Sequence, residues 1–337
     1  MGEPCVLDRS WFLCYYFSIE MPLSTPILVT GGAGFVGSNL LRKLVQSTDP
    51  KKIHVLLKQR SDCWRISDLL RKVSVHTADL SSPRAADNLV RTIKPKTIFH
   101  LAAHGAYPSQ QHDEEEIVRT NVLTTFNLIQ SCSKAGFHAF VNTGTSSEYG
   151  AKKKPMRESD VLEPITPYAA SKAWATLYGQ YLAVARGAPI VTLRPFSVYG
   201  SYEPAGRLIP NIILSFLKKT PLRLAPPKTA RDFIHIDDMV EAYIIAAQRP
   251  RAGTIFNIGS GKQTTIGEVF ALAQRVMHAS GDPVWDKAVA RSFDTGTWVA
   301  DVRLAKARLG WKPRTNLAEG LRRTAHWFTK HISLYEK

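Results

Sequence analysis

The chain has 337 residues, 44% of them hydrophobic and 21% charged, which excludes a disordered protein and suits one large domain or two domains that share a cleft. Lys and Arg number 44 against 28 Asp and Glu, so the formal net charge is +16 and the surface attracts anions. The cations are scattered along the sequence without interleaved aromatic residues, and we expect no nucleic-acid partner.

The first twenty residues precede the first convincing strand, and a second methionine, Met21, follows them. We expect residues 1–20 to be a disordered or mis-started extension. Their apolar run at residues 11–17 is far shorter than the roughly 18 residues that a membrane span needs, and it lacks a signal-peptide cleavage site. The four cysteines form neither a CxxC pair nor a disulfide-like pattern. We therefore predict no membrane partner, no metal site and a reducing, cytoplasmic location.

From residue 26 onward, short β-branched segments alternate with longer amphipathic segments, a pattern typical of βαβ units. Strands are predicted at residues 27–30, 53–57, 73–76, 97–101, 139–142 and 190–193, and helices at residues 36–46, 84–93, 115–135 and 167–186. Right-handed crossovers between such strands predict an α/β fold of the Rossmann type. Its doubly wound parallel sheet binds ligands beyond the carboxyl ends of the strands.

After residue 195 the pattern loosens into segments interrupted by Pro and Gly, which predicts a smaller C-terminal substrate lobe. A strand-like run at residues 233–236 is expected to return the chain to the first domain. We therefore assign residues 21–195 and about 231–256 to an NAD(P)-binding Rossmann domain. The substrate lobe comprises about residues 196–230 and 257–330.

A glycine loop follows the first strand and opens the first helix. It contains Gly31, Gly34 and Gly37, with Phe35 and Val36 between the last two glycines. Glycines let the backbone approach a pyrophosphate closely, and the helix N-terminus adds amide donors and a positive dipole. The spacing GxxGxxG differs by one residue from the GxGxxG of many dehydrogenases. The strand, the glycines and the helix together predict a bound dinucleotide.

The end of the second strand is where NAD enzymes usually carry an acid for the ribose 2′-hydroxyl. Lys58 and Arg60 stand there instead, and cations suit the 2′-phosphate of NADP. We therefore favour NADP(H), with NAD(H) as the alternative and a solvated basic loop as the plainer interpretation. At the end of the third strand, Asp79 and Leu80 are placed to contact the adenine. Small residues at the end of the fourth strand would let a ribose lie against the backbone: Leu101, Ala102 and Ala103.

Tyr168 and Lys172 lie one turn apart on the same face of a predicted helix. A free tyrosine, with a pKa of about 10, is a poor proton donor or acceptor at neutral pH, and a nearby cation lowers that pKa. We therefore predict that Tyr168 exchanges a proton with the substrate as hydride moves. The hydroxyl-rich segment at residues 142–150, which ends the fifth strand, is expected to orient the substrate oxygen.

These motifs resemble those of the extended short-chain dehydrogenases/reductases of the nucleotide-sugar epimerase/dehydratase family, over residues 26–328. In that family the hydroxyl four residues before the tyrosine of the strand-five Tyr-Gly pair is catalytic, which is Thr145 here. The resemblance implies catalysis by Thr145, Tyr168 and Lys172 on a nucleotide-diphosphate sugar, in a homodimer. It implies further cofactor contacts at Asn121 and Pro195. The implied substrate contacts are His104, Tyr107, Ser146, Ser147, Arg207, Asn211 and Arg231.

The acids near the strand-five tyrosine bear on the type of reaction. Family dehydratases carry acids two and three residues before that tyrosine, where this chain has Ser147 and Ser146. The nearby Glu148 is expected to point elsewhere on an extended chain, so a 4,6-dehydratase is disfavoured. We favour an NADPH-dependent 4-ketoreductase, because the segment around Thr145 and the basic loop resemble ketoreductases of the CDP-abequose synthase type. An NAD-dependent nucleotide-sugar 4-epimerase is the alternative, followed by a dinucleotide-binding protein without turnover.

Overall fold

A computed structural model describes residues 22–107, 110–287 and 296–336. Its central sheet has seven parallel strands: β1 (Ile27–Thr30), β2 (Ile53–Leu57), β3 (Ser74–Thr77), β4 (Thr97–His100), β5 (Ala139–Thr143), β6 (Ile190–Pro195) and β10 (Ile255–Ile258). Their spatial order is β10-β6-β5-β4-β1-β2-β3. Because the order changes direction at β1, a crevice for ligands lies at the carboxyl ends of β1 and β4.

Helices cover both faces of this sheet, as predicted for a doubly wound fold. On one face lie α1 (Phe35–Ser47) and α7 (Ile236–Gln248), which pack against each other. On the other face lie α2 (Pro83–Ile93), α4 (Thr124–Ala135) and α5 (Pro167–Arg186). The predicted helix at residues 115–135 is interrupted, because α3 (Glu114–Val118) passes through the π-helix Arg119–Leu123 before α4 begins.

A second hydrophobic core lies outside the central sheet. Its helices are α6 (Leu208–Lys218), α8 (Ile266–Met277) and α9 (Leu317–Lys330). Buried side chains such as Ile212, Phe270 and Leu321 join them. A three-stranded sheet contains β7 (Ser197–Tyr199), β9 (Ala230–His235) and β11 (Gln263–Thr265), and β8 (Arg223–Leu224) pairs with β12 (Val284–Trp285).

Two segments lie elsewhere than the sequence suggests. Residues 233–236, expected to return the chain to the first domain as a strand, mostly belong to β9, which pairs with β7 and β11. The return is made by α7, which packs against α1. Asn257 and Ile258, assigned from sequence to the substrate lobe, complete β10 beside β6. An apolar run predicts a strand, but it carries no information on which sheet the strand joins.

Among the described residues, no helix is both long and apolar enough to cross a membrane. Cys63 and Cys132 are free thiols. The extension expected at residues 1–20, with Cys5 and Cys14, lies outside the described residues.

Candidate active site

The glycine loop at the carboxyl end of β1 depends on close backbone contacts. Gly31 has φ +71°, and a Cβ there would lie 2.6 Å from the carbonyl carbon of Leu101. A Cβ on Gly37 would lie 2.2 Å from the carbonyl oxygen of Gly31. Gly34 is the N-cap of α1, and the first turn of this helix, Phe35 and Val36 included, has neither an acidic residue nor a side-chain cap. The first amides of α1 are therefore available to an anion.

A buried hydrogen-bond network, which the sequence did not reveal, fixes the adjoining end of β4. The Thr30 hydroxyl accepts a hydrogen bond from the Ala102 amide at 3.2 Å and lies 2.8 Å from His100 Nδ1. His100 Nε2 lies 2.9 Å from the Thr125 hydroxyl. Burial, and secondly the charge of Lys172, lowers the pKa of His100 to about 3, so its ring is neutral. The network holds residues 101–103 at the crevice.

The loop after β2 contains an ion pair that bears on the choice of cofactor. Lys58 Nζ lies 2.6 Å from Glu116 Oε1 and donates to the Thr120 hydroxyl at 2.8 Å. Arg60 is exposed and makes no ion pair with a described residue. One of the two cations predicted to bind a 2′-phosphate therefore already has a carboxylate partner.

The two residues predicted near the adenine lie just after β3. The Asp79 carboxylate forms an ion pair with Arg119 and accepts a hydrogen bond from the Ser81 amide at 3.0 Å. Leu80 is buried. Asp79 is thus engaged with its own chain, and an adenine contact remains a prediction.

Tyr168, Lys172 and Thr145 meet at the carboxyl end of β5. The helix α5 begins at this point because the Thr166 hydroxyl caps the Ala169 amide at 3.1 Å and Pro167 occupies the first turn. Tyr168 hydrogen-bonds with Thr145. Lys172 is fully buried, and its Nζ has no hydrogen-bond partner among the described residues. A buried amino group without a partner is costly, which indicates a site for a ligand that accepts its hydrogen bonds.

The protonation of this group differs from the expectation drawn from sequence. Burial, with the charge of Glu148, raises the pKa of Tyr168 to about 12, although Thr145 and Arg207 oppose the rise. Burial also lowers the pKa of Lys172 to about 8, against the opposing charge of Glu148. The expected lowering of the Tyr168 pKa is therefore wrong for the protein alone, because burial outweighs the opposing charge of Arg207 and the hydrogen bond with Thr145. Tyr168 is protonated at neutral pH.

Glu148 lies beneath Thr145 and does not point elsewhere on an extended chain. Residues Ser146–Tyr149 form a 3-10 helix, and Glu148 is fully buried. Its carboxylate accepts a hydrogen bond from the Thr145 amide at 2.8 Å and another from the Thr176 hydroxyl at 3.1 Å. It also forms an ion pair with Arg194 at 2.7 Å. These bonds tie Thr145 to β6 and α5, so Glu148 fixes the place of Thr145 in the structure.

Ser146 and Ser147, which replace the acids of the dehydratases, are held in the same turn. The Ser147 amide donates to the Thr145 hydroxyl at 3.2 Å. The indole N–H of the buried Trp298 donates to the Ser146 hydroxyl, also at 3.2 Å. The guanidinium of Arg231 lies 5.9 Å from the Trp298 ring centroid. Trp298 thus connects a predicted diphosphate contact to the turn Ser146–Tyr149 after Thr145, and no sequence motif pointed to it.

Another predicted substrate contact, Arg207, approaches the same crevice from the second core. Arg207 directly precedes α6, and its Nε lies 3.5 Å from Glu203 Oε1. Its guanidinium is 5.9 Å from the ring centroid of Tyr107, and its charge acts on the Tyr168 pKa. Asn211 follows within the first turns of α6.

Asn121 is a buried connector in the π-helix. Its Oδ1 accepts from the His104 amide at 2.8 Å, and its Nδ2 donates to the His104 carbonyl at 2.9 Å. The same Nδ2 donates to the Ser171 hydroxyl at 2.9 Å. Asn121 therefore fixes the loop after β4 to α5 beside Lys172. Pro195, the last of the predicted cofactor contacts, ends β6.

The chain was compared with known proteins. The sequence profile of the NAD dependent epimerase/dehydratase family matches residues 27–259. A trifunctional UDP-glucose 4,6-dehydratase, UDP-4-keto-6-deoxy-D-glucose 3,5-epimerase and UDP-4-keto-L-rhamnose reductase of Arabidopsis thaliana is 27% identical over 90% of this chain. The match covers 47% of that relative, so the chain spans about half its length.

Two other comparisons cover nearly the whole of both proteins. A UDP-glucuronate 4-epimerase of Thermodesulfobacterium geofontis is 31% identical over 91% of this chain and 97% of the relative. The structure of MoeE5 in complex with UDP-glucose and NAD is 31% identical, with a TM-score of 0.78 over 91% of this chain and 99% of that one. The predicted α/β fold of the Rossmann type is confirmed by such neighbours. The chain belongs to the NAD dependent epimerase/dehydratase family.

Proposed function

We propose that the protein is an NADPH-dependent reductase of a 4-keto nucleotide-diphosphate sugar. The observation that carries this proposal is the fully buried Lys172 amino group, which has no partner among the described residues and lies on the same helix face as Tyr168. Thr145 completes the group, above the crevice bordered by the glycine loop. A buried cation of this kind needs a ligand, and the hydroxyls of a nicotinamide ribose are suitable acceptors.

The residues around the crevice fit a dinucleotide. The amides at the start of α1 would bind the pyrophosphate, which Gly31 and Gly37 allow to approach closely. Lys172 would hold the nicotinamide ribose, and Arg60 the 2′-phosphate. When bound, the reduced nicotinamide supplies the hydride.

The chain's own residues would then handle the oxygen on C4 of the sugar. Thr145 donates a hydrogen bond to this oxygen and fixes its position beside Tyr168. Tyr168, protonated at neutral pH, transfers its proton to the oxygen as negative charge develops. The charge of Lys172 stabilises the phenolate that remains. A reduction begins with Tyr168 in this protonated form, which is the form that burial favours.

The turn after Thr145 offers no suitable acid to catalyse dehydration at C5 and C6 of the sugar. Ser146 and Ser147 stand at the positions of the dehydratase acids, and Ser146 accepts a hydrogen bond from Trp298. Glu148 is engaged with Arg194 and Thr145. We therefore do not assign a 4,6-dehydratase activity.

A 4-epimerase is the second candidate, and the ion pair between Lys58 and Glu116 favours it. This pair weakens the affinity that the basic loop would have for a 2′-phosphate, and an epimerase retains NAD through its cycle. The relatives named above include a UDP-glucuronate 4-epimerase, and the MoeE5 structure is a complex with UDP-glucose and NAD.

We infer a UDP-sugar as the substrate class from the names of these relatives. Arg207, Asn211 and Arg231 are the proposed contacts to its diphosphate. We also propose a homodimer through α4 and α5, in a reducing cytoplasm. Exposed apolar side chains on and next to these helices support the dimer: Val118, Leu123, Phe126, Leu177 and Tyr181.

Cofactor identity tests the proposal. The purified protein is denatured, the released nucleotide is analysed, and the emptied protein is titrated with NADPH and with NADH. The reductase predicts an empty or exchangeable site that prefers NADPH, followed by oxidation of NADPH when a UDP-4-keto-6-deoxysugar is added. Tightly retained NAD with conversion of UDP-glucose to its C4 epimer would replace the reductase by the epimerase. Absence of dinucleotide binding would reject both.

A further inference from the structure

The seven strands of the central sheet are parallel, so all their amino ends lie at one edge. Taken together, the seven four-residue segments that precede these strands carry eight lysines or arginines, before β2, β3, β4, β6 and β10, and one carboxylate, Asp49. We call this surface the basic edge. Its cations are Lys51, Lys52, Arg71, Lys72, Lys94, Lys96, Arg186 and Arg251.

The eight side chains are exposed, and none of them forms an ion pair with a described residue. Some cations elsewhere on the same domain do have such partners: Arg42 pairs with Asp68 at 2.6 Å, and Lys134 pairs with Asp87 at 3.2 Å. Gathering unpaired like charges in this way raises the repulsion within the folded protein. An anionic partner would relieve that repulsion.

The basic edge extends along the whole sheet. Arg251 and Arg186 precede β10 and β6 at one end, and Lys72 precedes β3 at the other. Seven strands with the usual spacing of about 4.8 Å make this edge about 29 Å long. The candidate active site occupies the opposite edge. A partner bound to the basic edge would therefore leave the crevice open.

We propose that the basic edge docks the protein onto a lipid bilayer that carries anionic headgroups. A bilayer presents negative charge over an area wide enough to meet all eight cations, and each Lys or Arg close to it strengthens binding by about fivefold. The proposal replaces the sequence-based expectation of no membrane partner. In the sequence these cations are scattered over two hundred residues, and the parallel sheet brings them together.

Vesicle sedimentation of the full chain tests this proposal. The probes are phosphatidylcholine vesicles with and without phosphatidylglycerol, each at low and at high salt. We expect binding to the anionic vesicles at low salt, a large loss at high salt, and little binding to the neutral vesicles. The triple variant Lys51→Glu, Lys72→Glu, Arg251→Glu should bind at least about a hundredfold more weakly.

A matched variant distinguishes the effect of where the charges lie from the effect of the protein's net charge. Lys228→Glu, Lys312→Glu, Lys330→Glu makes the same change in net charge at exposed positions away from the basic edge. It should bind vesicles within a few fold of the unaltered protein. Unchanged dinucleotide binding in both variants shows that they are folded, independently of the reaction proposed above.

Several outcomes would overturn the docking proposal. If both triple variants lost vesicle binding to the same extent, net charge and not the basic edge would explain the binding. If the unaltered protein bound neutral and anionic vesicles equally well, the cations would have no role in docking. Binding of the protein to a short DNA duplex more tightly than to anionic vesicles at the same salt would make nucleic acid the partner.

Discussion

The two edges of the central sheet are built from the same seven strands but carry different residues. In the four residues after each strand, glycines, hydroxyls and small side chains predominate, with the cations Lys58, Arg60 and Lys262 and the carboxylate Asp79. The seven four-residue segments that precede the strands together carry eight cations and one carboxylate. At the carboxyl edge, a ligand can approach the backbone closely, and buried hydrogen-bond networks hold the side chains in place. The amino edge offers exposed charge without such networks. Catalysis should therefore respond to changes at the carboxyl edge alone.

The largest effect should come from the tyrosine of the catalytic group. Tyr168→Phe removes the proton donor and should lower kcat by about a thousandfold, since positioned acid–base groups contribute about that much. Steady-state kinetics with a 4-keto nucleotide sugar measure it. Tyr181→Phe, farther along the same helix, is the control and should retain full activity, because Phe keeps the ring that the proposed dimer would contact. Retention of most turnover by Tyr168→Phe would contradict the assignment.

A smaller effect, a loss of dinucleotide affinity, should follow from adding a side chain within the glycine loop. In Gly37→Ala, the new Cβ would lie 2.2 Å from the backbone oxygen of Gly31, which has little freedom to move. Overpacking of this kind costs about 1–3 kcal/mol, so dinucleotide binding should weaken by about tenfold to a hundredfold. Fluorescence titration with NADPH measures the change. Gly206→Ala, where a Cβ meets open space, should bind normally. Equal affinities for the two variants would argue against the loop as the pyrophosphate site.

The positioning role of Glu148 should appear in both kcat and the pH profile. Activity should fall as the pH rises through about 8, because Lys172 then loses its proton. Glu148 raises the Lys172 pKa, so Glu148→Gln should move this fall to lower pH. It should also lower kcat by about tenfold with little change in KM, because Thr145 loses its anchor.

A control and a stability measurement accompany this variant. Glu163→Gln alters a more exposed carboxylate paired with Lys152 and should leave the pH profile unchanged. Thermal unfolding of Glu148→Gln should occur several degrees lower, because Arg194 is left buried without its partner. An unchanged pH profile in Glu148→Gln would limit Glu148 to a structural role.

The smallest effect is expected at the amino edge. Lys51→Ala and Lys94→Ala change exposed residues before β2 and β4, far from the catalytic group. Their kcat/KM in solution should stay within about twofold of the unaltered protein. A larger decrease would show that the two edges are coupled, and the contrast between them would no longer hold.

Local patterns made the fold predictable and defined a candidate catalytic group. The glycine loop, the pair Tyr168 and Lys172, and Thr145 are each defined by spacing within a few residues. The predicted fold and family are confirmed, whereas the roles of the individual site residues stay predictions.

The contacts that could not be predicted from the sequence join residues that are far apart in the chain. Trp298 reaches Ser146 across 152 positions, and Arg194 reaches Glu148 across 46. The ion pair between Lys58 and Glu116 likewise joins residues 58 apart. No local pattern encodes such contacts, because they arise only when the sheet order is known. The basic edge is the widest example, since its charge is gathered only when the starts of β2, β3, β4, β6 and β10 are aligned in the sheet.

Hydride transfer to C4 is the central claim, and isotopic labelling tests it most directly. The protein would be supplied with a UDP-4-keto-6-deoxysugar and with NADPH that carries deuterium at the transferred position, and the product would be analysed by NMR and mass spectrometry. We predict one deuterium atom, bound to C4 of the product sugar. A converted sugar without deuterium at C4 would contradict the proposed reaction.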